Sequence, residues 1–277
     1  MDTKCNLSIQ ILMMLKKYFS AILMGVFLLG CDKEITLPLD ENQSILVIDA
    51  VVTDEVGPYY VKLTKSVAIS AVSKFPEVSN ALVIMKDNFG LSDTLKYTSK
   101  GLYLTNKIKG AYGNTYFLEV ALDGKKYTAQ STMPNKVPFD SLTINKLTFF
   151  GESQYNVIPM YTDPMTLGNN YRFIQVINDT IDKNYYLFND NLNNGKENQR
   201  PLNNNDDSLK VKLNDFVSVE MQCISNPTYL YYNSLRQISG AGPGGGTTPA
   251  NPPSNIVGGA LGLFSAHTVQ RKQIQIK

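Results

Sequence analysis

Short segments rich in β-branched and aromatic residues recur from residue 44 to residue 133, and turn-forming residues separate them. This recurrence limits the fold strongly, because alternating segments of this length form half-buried strands. The sharpest turn signal is Asp123-Gly124, which lies between the alternating segments Thr115–Leu122 and Lys126–Ser131. About seven strands at this spacing predict an all-β sandwich over residues 44–133.

A domain boundary is predicted at residues 134–139, which contain two prolines and no apolar period. Short aromatic-rich segments continue through residues 140–277, and we therefore expect a second β domain there. Its last segment, Thr268–Ile276, alternates as a final strand would, with His267 at its start. The expected fold class is all-β, with two β-sandwich-like domains and one α-helix in the second.

That helix is predicted over residues 228–238. Pro227 suits the first turn of a helix, and Gly240 follows the predicted end. Residues 240–259 come next and contain too much Gly and Pro to form a sheet ladder. The helix is therefore expected to be followed by an irregular segment.

Three tyrosines of the predicted helix, Tyr229, Tyr231 and Tyr232, are candidate ligand-binding residues. Their positions run around the helix, so their rings cannot all face the core. Exposed aromatic rings are a common means of holding sugars and peptides. Most of the aromatic residues are expected in the sandwich core, and these three are the ones to test for ligand binding.

The N-terminal region has the pattern of a bacterial lipoprotein signal. Lys16 and Lys17 precede the apolar run Tyr18–Leu29, and the small residue Gly30 precedes Cys31. The run is shorter than the ~20 residues that a membrane-spanning helix needs. A short buried helix would be an alternative, but such a helix seldom lies at the N-terminus behind a pair of lysines.

We therefore expect residues 1–30 to be a cleaved signal peptide. Acylation requires a thiol at the new N-terminus, so Cys31 is the predicted lipidation site. The polar residues 31–43 are expected to form a tether between the lipid and the first strand. The signal therefore predicts attachment to a membrane, with palmitate or a similar acyl chain as the anchor.

Charge and cysteine content exclude several classes of function. The chain has 26 Lys and Arg and 24 Asp and Glu, and removal of residues 1–30 leaves equal numbers of each sign. Balanced charge argues against nucleic-acid binding and against electrostatic attachment to anionic lipid. Cys223 has no predicted disulfide partner, and its place in an alternating segment indicates a small buried hydrophobe.

No enzyme signature is present. His267 is the only histidine, so a zinc site of the His-rich kind is excluded and a nucleophile activated by histidine would depend on this one residue. We expect His267 to be a structural or surface residue, and we expect no cofactor. The Asn- and Asp-rich residues 189–208 suggest calcium, but with Gly195 as the turn glycine the third ligand position falls on Leu192. No metal site is therefore predicted.

Five segments of the chain resemble the domain-of-unknown-function family 4249, a group of outer-membrane lipoproteins of Bacteroidota. They are Thr36–Leu39, Val51–Asp54, Ser131–Pro134, Asp140–Leu142 and, most specifically, Pro249–Ala266. The resemblance implies a protein encoded beside TonB-dependent outer-membrane transporters and exposed at the cell surface. It also implies glycosylation at Asp-Ser/Thr-apolar patterns, which occur here at Thr94, Ser141, Thr180 and Ser208.

The leading expectation is a binding or accessory subunit of a TonB-dependent barrel, with a peptide- or glycan-like ligand. The alternative is a structural or assembly subunit of a large outer-membrane complex, without a small ligand. A hydrolase acting through carboxylates such as Asp163 or Asp190 is a third hypothesis, which the lack of an enzyme signature disfavours.

Overall fold

The computed structural model describes residues 44–67, 75–149, 152–191, 194–203, 209–240 and 251–277. The predicted signal peptide and tether, residues 1–43, lie outside the described residues. The strands are β1 (Leu46–Thr53), β2 (Tyr60–Lys65), β3 (Leu82–Asp87), β4 (Ser92–Thr94), β5 (Lys96–Ser99), β6 (Leu102–Leu104), β7 (Thr115–Leu122), β8 (Lys125–Thr132), β9 (Ser141–Phe149), β10 (Glu152–Met160), β11 (Asn170–Ile177), β12 (Thr180–Ile181), β13 (Tyr186–Asn189), β14 (Phe216–Ile224), β15 (Ile256–Val257), β16 (Leu261–His267) and β17 (Gln270–Gln275), and the described helix is α1 (Asn226–Gly240).

The first half of the protein is a sandwich of two five-stranded sheets. The first sheet has the strand order β16-β1-β2-β6-β5, and the second has the order β15-β8-β7-β3-β4. Alternation buries one face of the longer strands β1, β7 and β8, as in β1, where every second residue from Leu46 to Val52 is buried. The two inner faces share one hydrophobic core, which includes Ile48, Leu63, Tyr116 and Phe264.

The predicted hairpin at Asp123-Gly124 is confirmed. Leu122 of β7 pairs with Lys125 of β8, so the two turn residues connect the strands directly. Asp123 has φ 49° and Gly124 has φ 75°, as a two-residue turn of the mirror-image type requires. Local turn chemistry therefore sets the register of these two strands.

The C-terminal part of the chain completes the first sandwich, although the sequence placed all of residues 140–277 in the second domain. Strand β16 pairs in parallel with β1, and β15 pairs with β8. Gly262 permits the close approach of β16, because its φ is +108° and a Cβ there would lie 2.0 Å from the backbone oxygen of Ile48. His267 ends β16, rather than beginning the last strand as predicted.

The second half is built on a sheet of order β12-β11-β14-β17, with β13 also paired to β11. The hairpin of β9 and β10 supplies further side chains to a second hydrophobic core. Phe173, Val219 and Met221 are among the buried residues of this core. The polar connector at 134–139 is anchored to it, because Gln270 of β17 donates to the Val137 oxygen at 2.7 Å.

Helix α1 extends two residues beyond the predicted helix at each end. Its first turn is closed by the Tyr229 N–H, which donates to the Ser225 oxygen at 2.9 Å. The helix contacts β11 and β13 of the second half and also β16 of the sandwich. The prediction of an all-β protein with one α-helix is confirmed for the described part of the chain.

Candidate functional site

An open groove of about 680 Å³ lies on the outer face of the sandwich sheet β15-β8-β7-β3-β4. Cross-strand register explains its floor, because residues of one parity on neighbouring strands share a face. Ser225 and Pro227, at the start of α1, line the groove together with Asn255. Two rows of neighbours form the floor: Val257, Thr128, Glu119 and Ile84 in one, and Gln130, Phe117 and Lys86 in the other.

The groove combines an apolar platform with fixed polar groups. Phe117 is 40% exposed and Val257 is 70% exposed, which is unusual for large apolar side chains on a sheet. The side chain of Asn255 is held in place, because it accepts from the Phe264 N–H at 2.9 Å and donates to the Phe264 oxygen at 2.8 Å. A cleft of this size and composition suits a ligand with both ring or aliphatic faces and hydrogen-bonding groups.

The helix tyrosines lie elsewhere, in an aromatic cluster around Arg172. Tyr232 packs under the Arg172 guanidinium, whose carbon is 4.1 Å from the ring centroid. The Tyr232 ring contacts Tyr231 edge to face, with centroids 5.6 Å apart, and lies 5.9 Å from Tyr185. Tyr229 is separate, since its hydroxyl accepts a hydrogen bond from Asn189 at 3.2 Å. The structure therefore brings together two of the three predicted tyrosines.

Electrostatics couple this aromatic cluster to the first sheet of the sandwich. Burial raises the pKa of Tyr60 to about 12, and the negative charge of Asp49 adds to the rise. Desolvation by the surrounding protein raises the pKa of Asp49, whereas the positive charges of Lys62 and Arg172 lower it. The Asp49 side chain is nevertheless exposed to solvent. The charges of Asp49 on the sandwich and Arg172 in the second half of the protein therefore influence each other.

Cys223 and His267 are buried structural residues. Cys223 lies on β14 in the second core, and burial raises the pKa of its thiol, so the reactive thiolate is disfavoured. The prediction of a small buried hydrophobe is confirmed. His267 is also buried, with its Nδ1 2.9 Å from the Ser265 hydroxyl, and burial lowers its pKa to about 4. The imidazole is therefore neutral at pH 7.

The carboxylates considered for hydrolysis hold loops in place. Asp163 is buried and accepts a short hydrogen bond from the Tyr171 hydroxyl. Asp190 is buried as well, and one of its oxygens accepts from the backbone N–H groups of Gly168, at 2.5 Å, and Asn169, at 2.9 Å. Neither carboxylate lines the groove on the sandwich.

The Asn- and Asp-rich segment gives no sign of a metal site in its described portion. Across the described ranges, no group of three or more His, Cys, Asp or Glu side chains is placed to hold a metal ion. One of the two Asp190 carboxylate oxygens accepts from two backbone amides. Residues 192–193 and 204–208 of this segment lie outside the described residues.

Three of the predicted modification sites lie within the described residues, and two lie outside them. Thr94, Ser141 and Thr180 are all exposed, and Thr94 lies on β4, which borders the groove sheet. Ser208 and the lipidation site Cys31 lie outside the described residues. Exposure permits glycosylation at the first three sites, and the modification itself stays a prediction.

Sequence reasoning did not single out Phe117, Val257 or Arg172. The alternation of β7 could have identified Phe117, because it places this ring on the face opposite to Tyr116 and Leu118. No local signal identifies Arg172, whose aromatic partner lies on a helix much later in the chain. Such sites are found only when the packing of distant elements is known.

Comparison with known proteins agrees with the resemblance seen in the sequence. The family described as Domain of unknown function (DUF4249) matches residues 32–273. A search of curated proteins finds no match. In the part of the chain that the structure describes, no helix has the length and apolar character needed to cross a membrane. The match spans both hydrophobic cores and helix α1, and the chain therefore belongs to the DUF4249 family.

Proposed function

We propose that this protein is a surface-facing outer-membrane lipoprotein that acts as a binding or accessory subunit of a TonB-dependent transporter. Its ligand is peptide- or glycan-like. The signal-like N-terminal pattern, with Cys31 at its end, supports the location. The choice of partner is supported by the family resemblance, which implies a protein encoded beside TonB-dependent outer-membrane transporters. The protein captures its ligand at the surface and presents it to the barrel.

The observation that carries the binding role is the groove on the sandwich. Its volume of about 680 Å³ falls within the range of small-molecule and oligomer sites, roughly 300–1,000 Å³. Phe117 offers a ring face to a sugar or an apolar side chain, while Thr128 and Gln130 offer hydrogen-bonding groups beside it. A ligand with an extended polar backbone and regularly spaced apolar groups fits the floor of the groove.

The alternative, a structural or assembly subunit without a small ligand, is favoured by one observation on the same face. Leu82 is 51% exposed and lies on β3, on the same side of the sheet as Phe117 of β7, with the half-buried Ile84 between them. Together with Val257, these residues form an apolar surface of the kind that protein partners cover. A protein interface would then occupy the groove.

Affinity purification of the native lipoprotein from outer membranes in mild detergent tests both roles. We expect a TonB-dependent barrel in equal amount, together with a peptide or glycan detectable by mass spectrometry in the same eluate. Phe117→Ala should remove the bound ligand and leave the barrel, because the truncated ring is at the surface and not in the core. Phe89→Ala, at a ring that is 76% exposed and does not line the groove, is the control and should change neither.

Recovery with assembly or secretion machinery and no barrel would instead support the structural subunit. Recovery without any partner protein would contradict the transporter proposal.

Anchoring is tested independently by Cys31→Ala. The substitution removes the only thiol that the signal pattern places for acylation, so we expect the protein to leave the membrane fraction. Cys223→Ala is the matched control, since this buried thiol has no role in anchoring and its variant should stay with the membrane. Cell fractionation followed by immunoblotting measures how much of each variant remains in the membrane fraction. Retention of Cys31→Ala in the membrane would contradict the lipoprotein assignment.

A further inference from the structure

Arg172 is a half-buried cation with few protein partners. Its Nη1 donates to the Gln222 side-chain oxygen at 3.2 Å, and its guanidinium stacks on Tyr232. Among the described residues, no carboxylate lies within 4.0 Å of this guanidinium. A guanidinium carries five N–H donors, so the described residues leave most of its hydrogen-bonding capacity unused.

Arg200 provides a comparison, because its guanidinium is fixed by contacts within the protein. Arg200 also stacks on an aromatic ring, with its guanidinium carbon 4.3 Å from the centroid of Phe188. Its Nη2 donates to the Asn189 oxygen at 3.0 Å, and its Nε donates to Asn198 at 3.4 Å. Its backbone N–H also donates to the Asn198 side-chain oxygen at 3.2 Å. Arg200 is thus held by several partners, in contrast to Arg172.

The surroundings of Arg172 have the form of a binding site. Tyr232 presents a half-buried ring to the guanidinium, and the half-buried ring of Tyr231, on the same helix α1, contacts Tyr232 edge to face. Asp49 lies on β1 of the sandwich, exposed to solvent, and the Arg172 charge acts on its carboxylate. The site therefore offers a cation, aromatic faces and one hydrogen-bond acceptor, supplied by both halves of the protein.

We propose that Arg172, with the rings of Tyr231 and Tyr232, binds a ligand that carries a carboxylate. The planar guanidinium pairs with the two carboxylate oxygens, because its fork of N–H groups matches their geometry. The tyrosine rings pack against the body of the ligand, and Asp49 accepts from an ammonium or hydroxyl group on it. This site shares no lining residue with the groove and goes beyond the function proposed for it.

The carboxylate has two natural sources, a peptide and an acidic sugar, and titration calorimetry of the full-length protein in detergent distinguishes them. The probes are trialanine, trialanine amide, glucuronate and glucose. We expect at least one acid to bind while its neutral counterpart does not. Binding of trialanine alone indicates a peptide, binding of glucuronate alone indicates an acidic glycan, and binding of both shows that the carboxylate suffices.

Arg172→Gln is expected to weaken binding of the acid at least tenfold, the order expected for loss of a charge-assisted hydrogen-bonded pair. Arg200→Gln is the matched control and should lower thermal stability without changing affinity. Equal binding of acid and neutral probes by the unmodified protein, or no binding of either acid, would overturn the inference. That comparison does not depend on the folding of any variant. It also needs no barrel, so its result is separate from the transporter test.

Discussion

Gly262→Ala is expected to lower the free energy of unfolding by more than about 3 kcal/mol, at the upper end of single-substitution effects. The added Cβ would lie 2.0 Å from the Ile48 backbone oxygen, so β16 could not keep its pairing with β1. The residue also has φ +108°, a conformation that side chains rarely adopt. Separation of β16 would expose Phe264 and Ala266, which are fully buried in the first core.

Gly259→Ala is the matched control. Gly259 has φ +85°, but nothing lies within 4 Å of the position where its Cβ would be. Its substitution should therefore cost only the backbone strain, about 1–2 kcal/mol. Urea unfolding followed by circular dichroism measures both variants. If the two substitutions lowered the free energy of unfolding equally, backbone strain, and not the close approach of β16 to β1, would account for the effect.

The second large effect is a loss of stability in mild acid that depends on His267. The pKa of His267 is about 4 in the folded protein, below its ordinary value of 6.5. The unfolded chain therefore binds a proton that the folded protein excludes, and stability falls as pH drops from 6.5 toward 4. At pH 5 the expected loss relative to pH 7.5 is about 2 kcal/mol.

His267→Gln isolates this contribution, because glutamine does not titrate and retains groups that can hydrogen-bond the Ser265 hydroxyl. The variant should be less stable than the unmodified protein at pH 7.5, and the difference should shrink by about 2 kcal/mol at pH 5. Unfolding in urea at the two pH values gives the comparison. A constant difference between the proteins would mean that His267 does not take up a proton on unfolding. The charges facing it are those of Arg172 and Asp54.

Local patterns predicted much of the secondary structure. The hairpin of β7 and β8 followed from Asp123-Gly124, and helix α1 followed from Pro227, Gly240 and the residues between them. The burial of Cys223 followed from the alternation within β14. Each of these features depends on interactions between residues close in sequence, which composition and periodicity report directly.

The candidate sites were predicted only in part. Tyr231 and Tyr232 could be named because a helix must expose some of its residues. Arg172 and Asp49 could not, since they come from strands of different halves and meet the tyrosines only after packing. The groove likewise depends on β15 joining β8, which places Val257 beside Thr128.

By itself, the sequence determined that the part of the chain which the structure describes is all-β with one helix, and it supplied a lipoprotein-like N-terminal pattern. Tertiary structure alone decided that β16, from the C-terminal end, completes the N-terminal sandwich. The physical reason is that strand pairing depends on which sheet edge has unpaired backbone groups and which apolar surface must be buried. Those properties belong to the assembled sheets and not to any local segment.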